Sequence, residues 1–295
     1  MRHSDKGTDA AARRLRKDGQ MARFVIVPQW QGSSSSRAMQ LVDGATAIAG
    51  DLPRSACTFV EVPAEAGESL DTSVRRLSTL RRVRELVQQA VVGGEEPAIV
   101  IGGDCGVSVG AVAAVAADDP DGDIALVWLD AHADLHTPET VVSGAFHGMV
   151  LRAILGEGVE GMTLPGGAIT PDRVVLVGTR DLAAPEEDYI ARAGIRMLPV
   201  ESLAEPTSVV AAVAETGASR VFLHIDVDVL DPAALTGLAF PVPFGAQPAD
   251  LIATIKALRA RFPLAGAAIT EFSPSSPDDA VDDMGTILRI VGALV

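Results

Sequence analysis

Two acidic clusters carry the chemistry of this sequence: Asp130-Ala131-His132-Ala133-Asp134, and Asp226-Val227-Asp228 with Asp231-Pro232 just behind. Carboxylate and imidazole donors brought together form a cage for divalent cations such as Mn²⁺, Fe²⁺, Co²⁺ or Zn²⁺. The lack of several thiolates argues against a closed structural zinc site. Each cluster follows an apolar run, Ile124 to Leu129 and Val221 to Ile225, rich in branched residues as strands buried on both faces are. The carboxylates therefore sit at strand ends. In an extended backbone alternate side chains share a face, so Asp130, His132 and Asp134 are expected to converge, as are Asp226 and Asp228. Four of the five histidines, His132, His136, His147 and His224, lie in or beside these segments. That concentration favours a metal site over polar strand ends that merely cap the next helices.

The elements that must position these residues alternate along the chain. Strand-like runs are expected at 23–28, 57–62, 98–102, 124–129, 173–178, 196–200, 220–225 and 265–270. Helical spacing or composition falls between them at 73–93, 106–117, 147–155, 186–193, 207–216, 248–262 and 282–295. Alternation of this kind predicts an α/β fold whose central, mainly parallel sheet of about eight strands is covered by helices. Ligands in such sheets bind beyond the carboxyl ends of the strands, where the acidic clusters fall. The chain of 295 residues is long enough for one large domain, expected over 23–295 after a flexible tail at 1–22 that carries Arg13, Arg14, Arg16 and Lys17. The Gly/Ser-rich stretch Gly32 to Ser36 lacks the lysine and glycine spacing of a phosphate cradle and is expected to be a mobile rim loop.

Composition narrows the partners. A hydrophobic fraction of 48% with only 4% aromatics means a core of Ala, Val, Leu and Ile, the filling of helix-covered parallel sheets. A formal charge of −15 excludes a nucleic-acid partner, which needs a basic face, and would attract small cations. No window reaches the roughly 20 apolar residues of a membrane span. Cys57 and Cys105 give no disulfide framework, and no apolar h-region opens the chain, so a cytoplasmic location is expected.

Four ordered motifs then make the chain resemble the ureohydrolase family of arginase and agmatinase. They are Asp130-Ala131-His132-Ala133-Asp134, Ser143-Gly144-Ala145-Phe146-His147-Gly148-Met149, Asp226-Val227-Asp228-Val229-Leu230-Asp231-Pro232 and the late Glu271. Gly102-Gly103-Asp104-Cys105 is similar to the family's Gly-Gly-Asp-His, with cysteine where histidine is usual. The resemblance implies a three-layer αβα sandwich and a binuclear Mn²⁺ centre that hydrolyses guanidino compounds to urea and an amine. It implies that Asp130 and Asp226 bridge the ions, that His132 and Asp228 complete one site, and that Asp134, also counted among the catalytic residues, completes the other with Cys105. A hydroxide shared by the ions is the implied nucleophile. His147 matches the proton-shuttling histidine, and its ordinary pKa near 6.5 suits delivery of a proton to the departing amine. Glu271 matches the carboxylate that pairs with the planar guanidinium. A trimer or hexamer is the implied assembly.

Several positions depart from that pattern. Thiolate is a soft ligand, so the Cys105 site is expected to select Zn²⁺, Fe²⁺ or Co²⁺ unless Cys105 is only an apolar filler. His224 precedes Asp226 by two residues and shares its face, either as a partner behind the ligands, as a substitute ligand or as a plain core histidine; it stays outside the expected ligand set. His136 and Ala145 stand where arginases place asparagines, and Arg180-Asp181-Leu182-Ala183 lacks the family's second aspartate. His136, Ser143 and Glu271 are the expected substrate-binding residues. L-Arginine or a modified arginine such as an N-hydroxyguanidine is the expected substrate, with agmatine or a guanidino acid as alternatives. A metal-binding protein without turnover is the rival of another class. A binuclear phosphoesterase would need basic side chains near the clusters, where only Arg152 and Arg180 are candidates.

Overall fold

The computed structural model describes residues 23–94, 96–119 and 121–295, so the expected tail at 1–22 lies outside the described residues. Its strands are β1 (Arg23–Val27), β2 (Cys57–Phe59), β3 (Ala98–Gly102), β4 (Ile124–Leu129), β5 (Val174–Val177), β6 (Arg196–Leu198), β7 (Arg220–Asp226) and β8 (Leu264–Thr270). They form one sheet in the order β2-β1-β3-β8-β7-β4-β5-β6, and every neighbouring pair is parallel. The expected eight strands are all present, and the sheet is wholly parallel.

Helices among the described residues are α1 (Gln40–Gly50), α2 (Leu77–Val91), α3 (Val107–Ala117), α4 (Val150–Ile154), α5 (Ala184–Ala193), α6 (Pro206–Ala214), α7 (Pro248–Arg261) and α8 (Pro277–Leu294). They cover both faces of the sheet. Along β4, Ile124, Leu126 and Trp128 point into one core with residues of α2, α3, α4 and α5. Ala125, Val127 and Leu129 point into the other, with residues of α1, α6, α7 and α8. Strands buried on both faces cannot alternate apolar with polar residues, which is why these runs read as continuous hydrophobic stretches. Among the described residues no helix is long and apolar enough to cross a membrane.

Two segments differ from the sequence reading. Helix α1 carries two glycines, Gly44 and Gly50, and was not expected as a helix. Its buried residues Leu41, Gly44, Ala45 and Ile48 nonetheless keep helical spacing. Gly44 is there because a Cβ would come within 1.9 Å of the Phe272 carbonyl oxygen, just beyond β8. The segment expected as a helix at 147–155 is a 3₁₀ turn, His147–Met149, running into the short α4.

Candidate metal centre

Four neighbouring strands of the sheet, β3, β8, β7 and β4, end side by side, and each delivers chemistry at its carboxyl end. Register pairs Ile101 with Ile269, Asp226 with Thr270, and Leu129 with Ile225. Cys105 therefore follows β3, Glu271 follows β8, Asp226 closes β7 and Asp130 follows β4 at one edge. The convergence is not that of an extended backbone. Strand β4 ends before Asp130, and β7 gives way to a 3₁₀ turn, Val227–Val229. In that turn Asp226 Oδ1 accepts the Asp228 N–H at 2.8 Å, and at the other cluster Asp130 Oδ1 accepts the His132 N–H at 2.6 Å. Turns, not strand alternation, thus gather the carboxylates. Asp134 and Glu271 adopt left-handed backbone angles, φ 53° and 64°, strain of about 1–3 kcal/mol each of the kind that collects at working sites.

Three groups of donors come together. Cys105, Asp130, Asp134 and His224 each offer an atom within 4.8 Å of the others; Asp130, His132 and Asp228 form a second group; Cys105, Asp226 and Glu271 a third. Asp130 belongs to two of them, the placement of a shared ligand. His132 Nδ1 lies 2.9 Å from Asp228 Oδ2. Cys105 Sγ donates to Asp226 Oδ2 at 3.0 Å, and the Cys105 N–H donates to Glu271 Oε1 at 3.2 Å. The expected pairings of His132 with Asp228 and of Asp134 with Cys105 are thus spatial neighbours. Asp226 lies against Cys105 and Glu271.

The electrostatics call for cations. Burial, then the charge of Asp130, raises Asp134 well above the usual carboxylate range. Burial, then Asp228 and Asp130, does the same to Asp226, and burial with Asp104 and Asp228 to Glu271. Asp228 is pushed up to about 6 by burial and Asp130. Burial opposes ionisation of Asp130 too, but the imidazoles of His132 and His224 beside it hold it below the usual range. Burial alone would lower the His132 imidazole, yet Asp130 and Asp228 push it up to about 12. Asp134 Oδ2, Glu271 Oε2 and His224 Nε2 are buried without a hydrogen-bond partner. Crowded acids with orphaned oxygens are costly alone and are satisfied by divalent ions, which reverse these shifts. The donor set fits Mn²⁺, Fe²⁺, Co²⁺ or Zn²⁺.

Around the centre, His147 Nε2 lies 3.1 Å from Ser34 Oγ, and its ring stacks on Phe240 at 4.6 Å. Burial, then the charge of His132, lowers His147 to about 4, so it is neutral at pH 7 rather than poised near 6.5. The Gly32–Ser36 stretch is not merely a rim. Gly32 and Ser33 are buried, the Gly32 N–H donates to Asp104 Oδ2 at 2.8 Å, and the His147 N–H donates to the Gly32 carbonyl at 3.0 Å. Asp104 Oδ1 also accepts from Gln29 Nε2 at 2.8 Å and from the Gly106 N–H at 2.9 Å. His136 is engaged locally, its Nδ1 3.1 Å from Thr140 Oγ1 and its Nε2 3.5 Å from Glu186 Oε2. Ser143 Oγ accepts the Ala145 N–H at 3.2 Å. Arg152 pairs with Glu157 at 2.7 Å, and Arg180 donates to the carbonyls of Asp228 and Val242. Both phosphate candidates are therefore committed to structure. Sequence reasoning missed Phe240 and Ser34, which sit in loops without a chemical signature, and left out His224, whose spacing from Asp226 was the available signal.

Comparison with known proteins agrees with this geometry. The model of the arginase family matches residues 2–288. The Nω-hydroxy-L-arginine amidinohydrolase of Streptomyces lavendulae is 31% identical over 268 residues, 88% of this chain and 93% of that protein. The structure of Bacillus caldovelox arginase superposes with a TM-score of 0.77 at 26% identity, covering 93% of this chain and 97% of the other. Entamoeba histolytica arginase, solved with L-ornithine, gives a TM-score of 0.82 at 23% identity, covering 93% and 98%, and so speaks for the fold alone. With a matched family model over nearly the whole chain, a full-length relative and the shared sandwich, the chain belongs to the arginase family and is a hydrolase of the ureohydrolase class.

Proposed function

We propose that this chain, acting as one catalytic unit over residues 23–295, hydrolyses the guanidino carbon–nitrogen bond of arginine or a modified arginine at a binuclear manganese centre. The products are urea, or a urea derivative, and an amine. The observation that carries the reading is the pair of donor groups sharing Asp130 at the ends of adjacent strands. Asp130 and Asp226 would hold both ions, His132 and Asp228 one of them, and Asp134 and Cys105 the other. Bound there, two divalent ions supply Lewis acidity and a water acidic enough to act near neutral pH.

The side chains supply the rest. Glu271 Oε1 is held by the Cys105 N–H, which leaves Oε2 free to accept a guanidinium N–H and orient the substrate carbon. His147, held by Ser34 and Phe240 and neutral at pH 7, takes up a proton and passes it to the departing amine. Ser143 and His136 are assigned to the far end of the substrate.

Among substrates, Nω-hydroxy-L-arginine is favoured over L-arginine. It is the substrate named for the Streptomyces lavendulae relative, which matches 88% of this chain, and His136 and Ala145 replace the asparagines typical of arginases. The test is release of urea or hydroxyurea by the Mn²⁺-loaded protein from Nω-hydroxy-L-arginine, L-arginine, agmatine and a guanidino acid. Turnover fastest on the hydroxylated substrate supports the proposal; no release from any of the four refutes it.

A further inference from the structure

The imidazole of His224 sits among the donors on the Cys105 side of the centre, a position no ligand assignment above uses. It lies on β7, register-paired with Trp128 on β4 and with Ala268 on β8. The small Ala268 leaves room on one side, and Trp128 stacks on the other with ring centroids 3.5 Å apart and planes at 10°. The ring plane is thereby fixed. Its Nδ1 lies 2.8 Å from Ser108 Oγ on α3. Its Nε2 is buried, has no hydrogen-bond partner, and lies 3.6 Å from Asp130 Oδ2. The His224 ring offers a nitrogen to the group of donor atoms within 4.8 Å that Cys105, Asp130 and Asp134 complete.

We propose that His224 Nε2 is a ligand of the ion on the Cys105 side, and that Ser108 fixes the tautomer that presents its lone pair. A fully buried nitrogen with no partner is rare unless something unseen satisfies it. Nδ1–H donating to Ser108 Oγ leaves Nε2 as a bare acceptor, which is the arrangement metal-bound histidines keep through a second hydrogen bond. Every other polar neighbour within the cluster is a carboxylate or a thiol, so a cation is the group that meets all four donors at once. Where the family usually places a histidine at position 105, this chain keeps an imidazole on the same ion by supplying it from the neighbouring strand.

The consequence is chemical asymmetry. One ion would rest on Asp130, His132 and Asp228, the other on thiolate, imidazole and carboxylate, a softer set that prefers Zn²⁺, Fe²⁺ or Co²⁺ to Mn²⁺. The inference rests on the metal centre proposed above, and the experiment separates the two. Wild type, His224→Gln and Ser108→Ala are titrated with Zn²⁺, with ions per chain counted after dialysis and folding checked by circular dichroism. Two ions in wild type, one of them lost or weakened at least tenfold in His224→Gln and weakened about 10- to 100-fold in Ser108→Ala, support the assignment. Two ions held with unchanged affinity by a folded His224→Gln overturn it and leave the metal centre standing. No ion in wild type overturns both. Should the glutamine variant fail to fold, ¹⁵N-histidine spectra of wild type decide: the His224 Nε2 resonance must move on Zn²⁺ addition while Nδ1 stays protonated, and an unmoved Nε2 refutes the proposal.

Discussion

The Trp128 indole and the His224 imidazole lie face to face across β4 and β7, and the same indole donates its Nε1–H to Asp130 Oδ2 at 3.0 Å. One buried aromatic residue thus sets the plane of a histidine and the angle of the carboxylate shared by two donor groups. Residues behind ligands are often as consequential as the ligands, because a ligand free to turn loses pre-organisation.

Trp128→Phe keeps the stack and removes the hydrogen bond. The metal-free protein should lose about 1–3 kcal/mol in urea unfolding, the range for a buried acceptor left unmet, and Mn²⁺ affinity should fall about tenfold in a calorimetric titration. Unchanged affinity would mean that the indole does not orient Asp130.

Asp104 holds three N–H donors, from Gln29, Gly32 and Gly106, and burial pushes its carboxyl up to about 6. Asp104→Asn replaces one acceptor oxygen by a donor facing an N–H, which should destabilise the fold by about 1–3 kcal/mol. It should also free the Gly32 loop and so the Ser34 partner of His147. The variant's deficit should widen as pH falls from 7 to 4: a carboxyl raised in the folded state binds its proton there before the unfolded chain does, so it stabilises the wild-type fold least at high pH and most at low pH. Denaturant midpoints at pH 4 and 7, each compared with wild type, check the sign.

His147 is held down at about 4 against an ordinary 6.5. The folded state therefore resists a proton that the unfolded chain accepts, so this residue's contribution to stability is lost as pH falls through 6.5 towards 4. His147→Asn should remove that acid sensitivity, leave the ion content unchanged, and lower kcat by about 10²–10⁴-fold. Loss of ions in this variant would show that the residue holds metal instead of moving a proton.

Asp134, Asp226 and Glu271 are all raised well above the usual range by burial and then by neighbouring carboxylates, Asp130 and Asp228 among them. Without metal these three bind protons more readily in the folded state, so their contribution to stability falls as pH rises above about 4. Metal binding requires the deprotonated forms, so its stabilisation grows over the same window. The difference in Tm between Mn²⁺-loaded and chelator-treated protein should widen from pH 5 to pH 8. A constant difference would mean that the acids do not hold the ion.

Much of this is legible in the sequence. Buried parallel strands announce themselves as unbroken apolar runs, and Asp130, Asp226 and Glu271 were placed at strand ends because each directly follows one. What the sequence hid was local geometry. Asp134 and Glu271 take left-handed angles that no residue preference signals for glutamate, and the 3₁₀ turn at Val227 looks like continued strand. Helix α1 was hidden by its own glycine, required by a contact with Phe272 far along the chain. His147 reads as a histidine of ordinary pKa until burial and the charge of His132 are known. Phe240 and Ser34 reach the site only through loop paths that local patterns do not encode.

The most direct test of the central claim is anomalous diffraction at the manganese edge from crystals soaked in Mn²⁺. Two peaks are expected about 3.5–4 Å apart, between Asp130 and Asp226, with His132 and Asp228 on one and Asp134 and Cys105 on the other. No peak among these side chains, or a single ion lying outside them, would contradict the account.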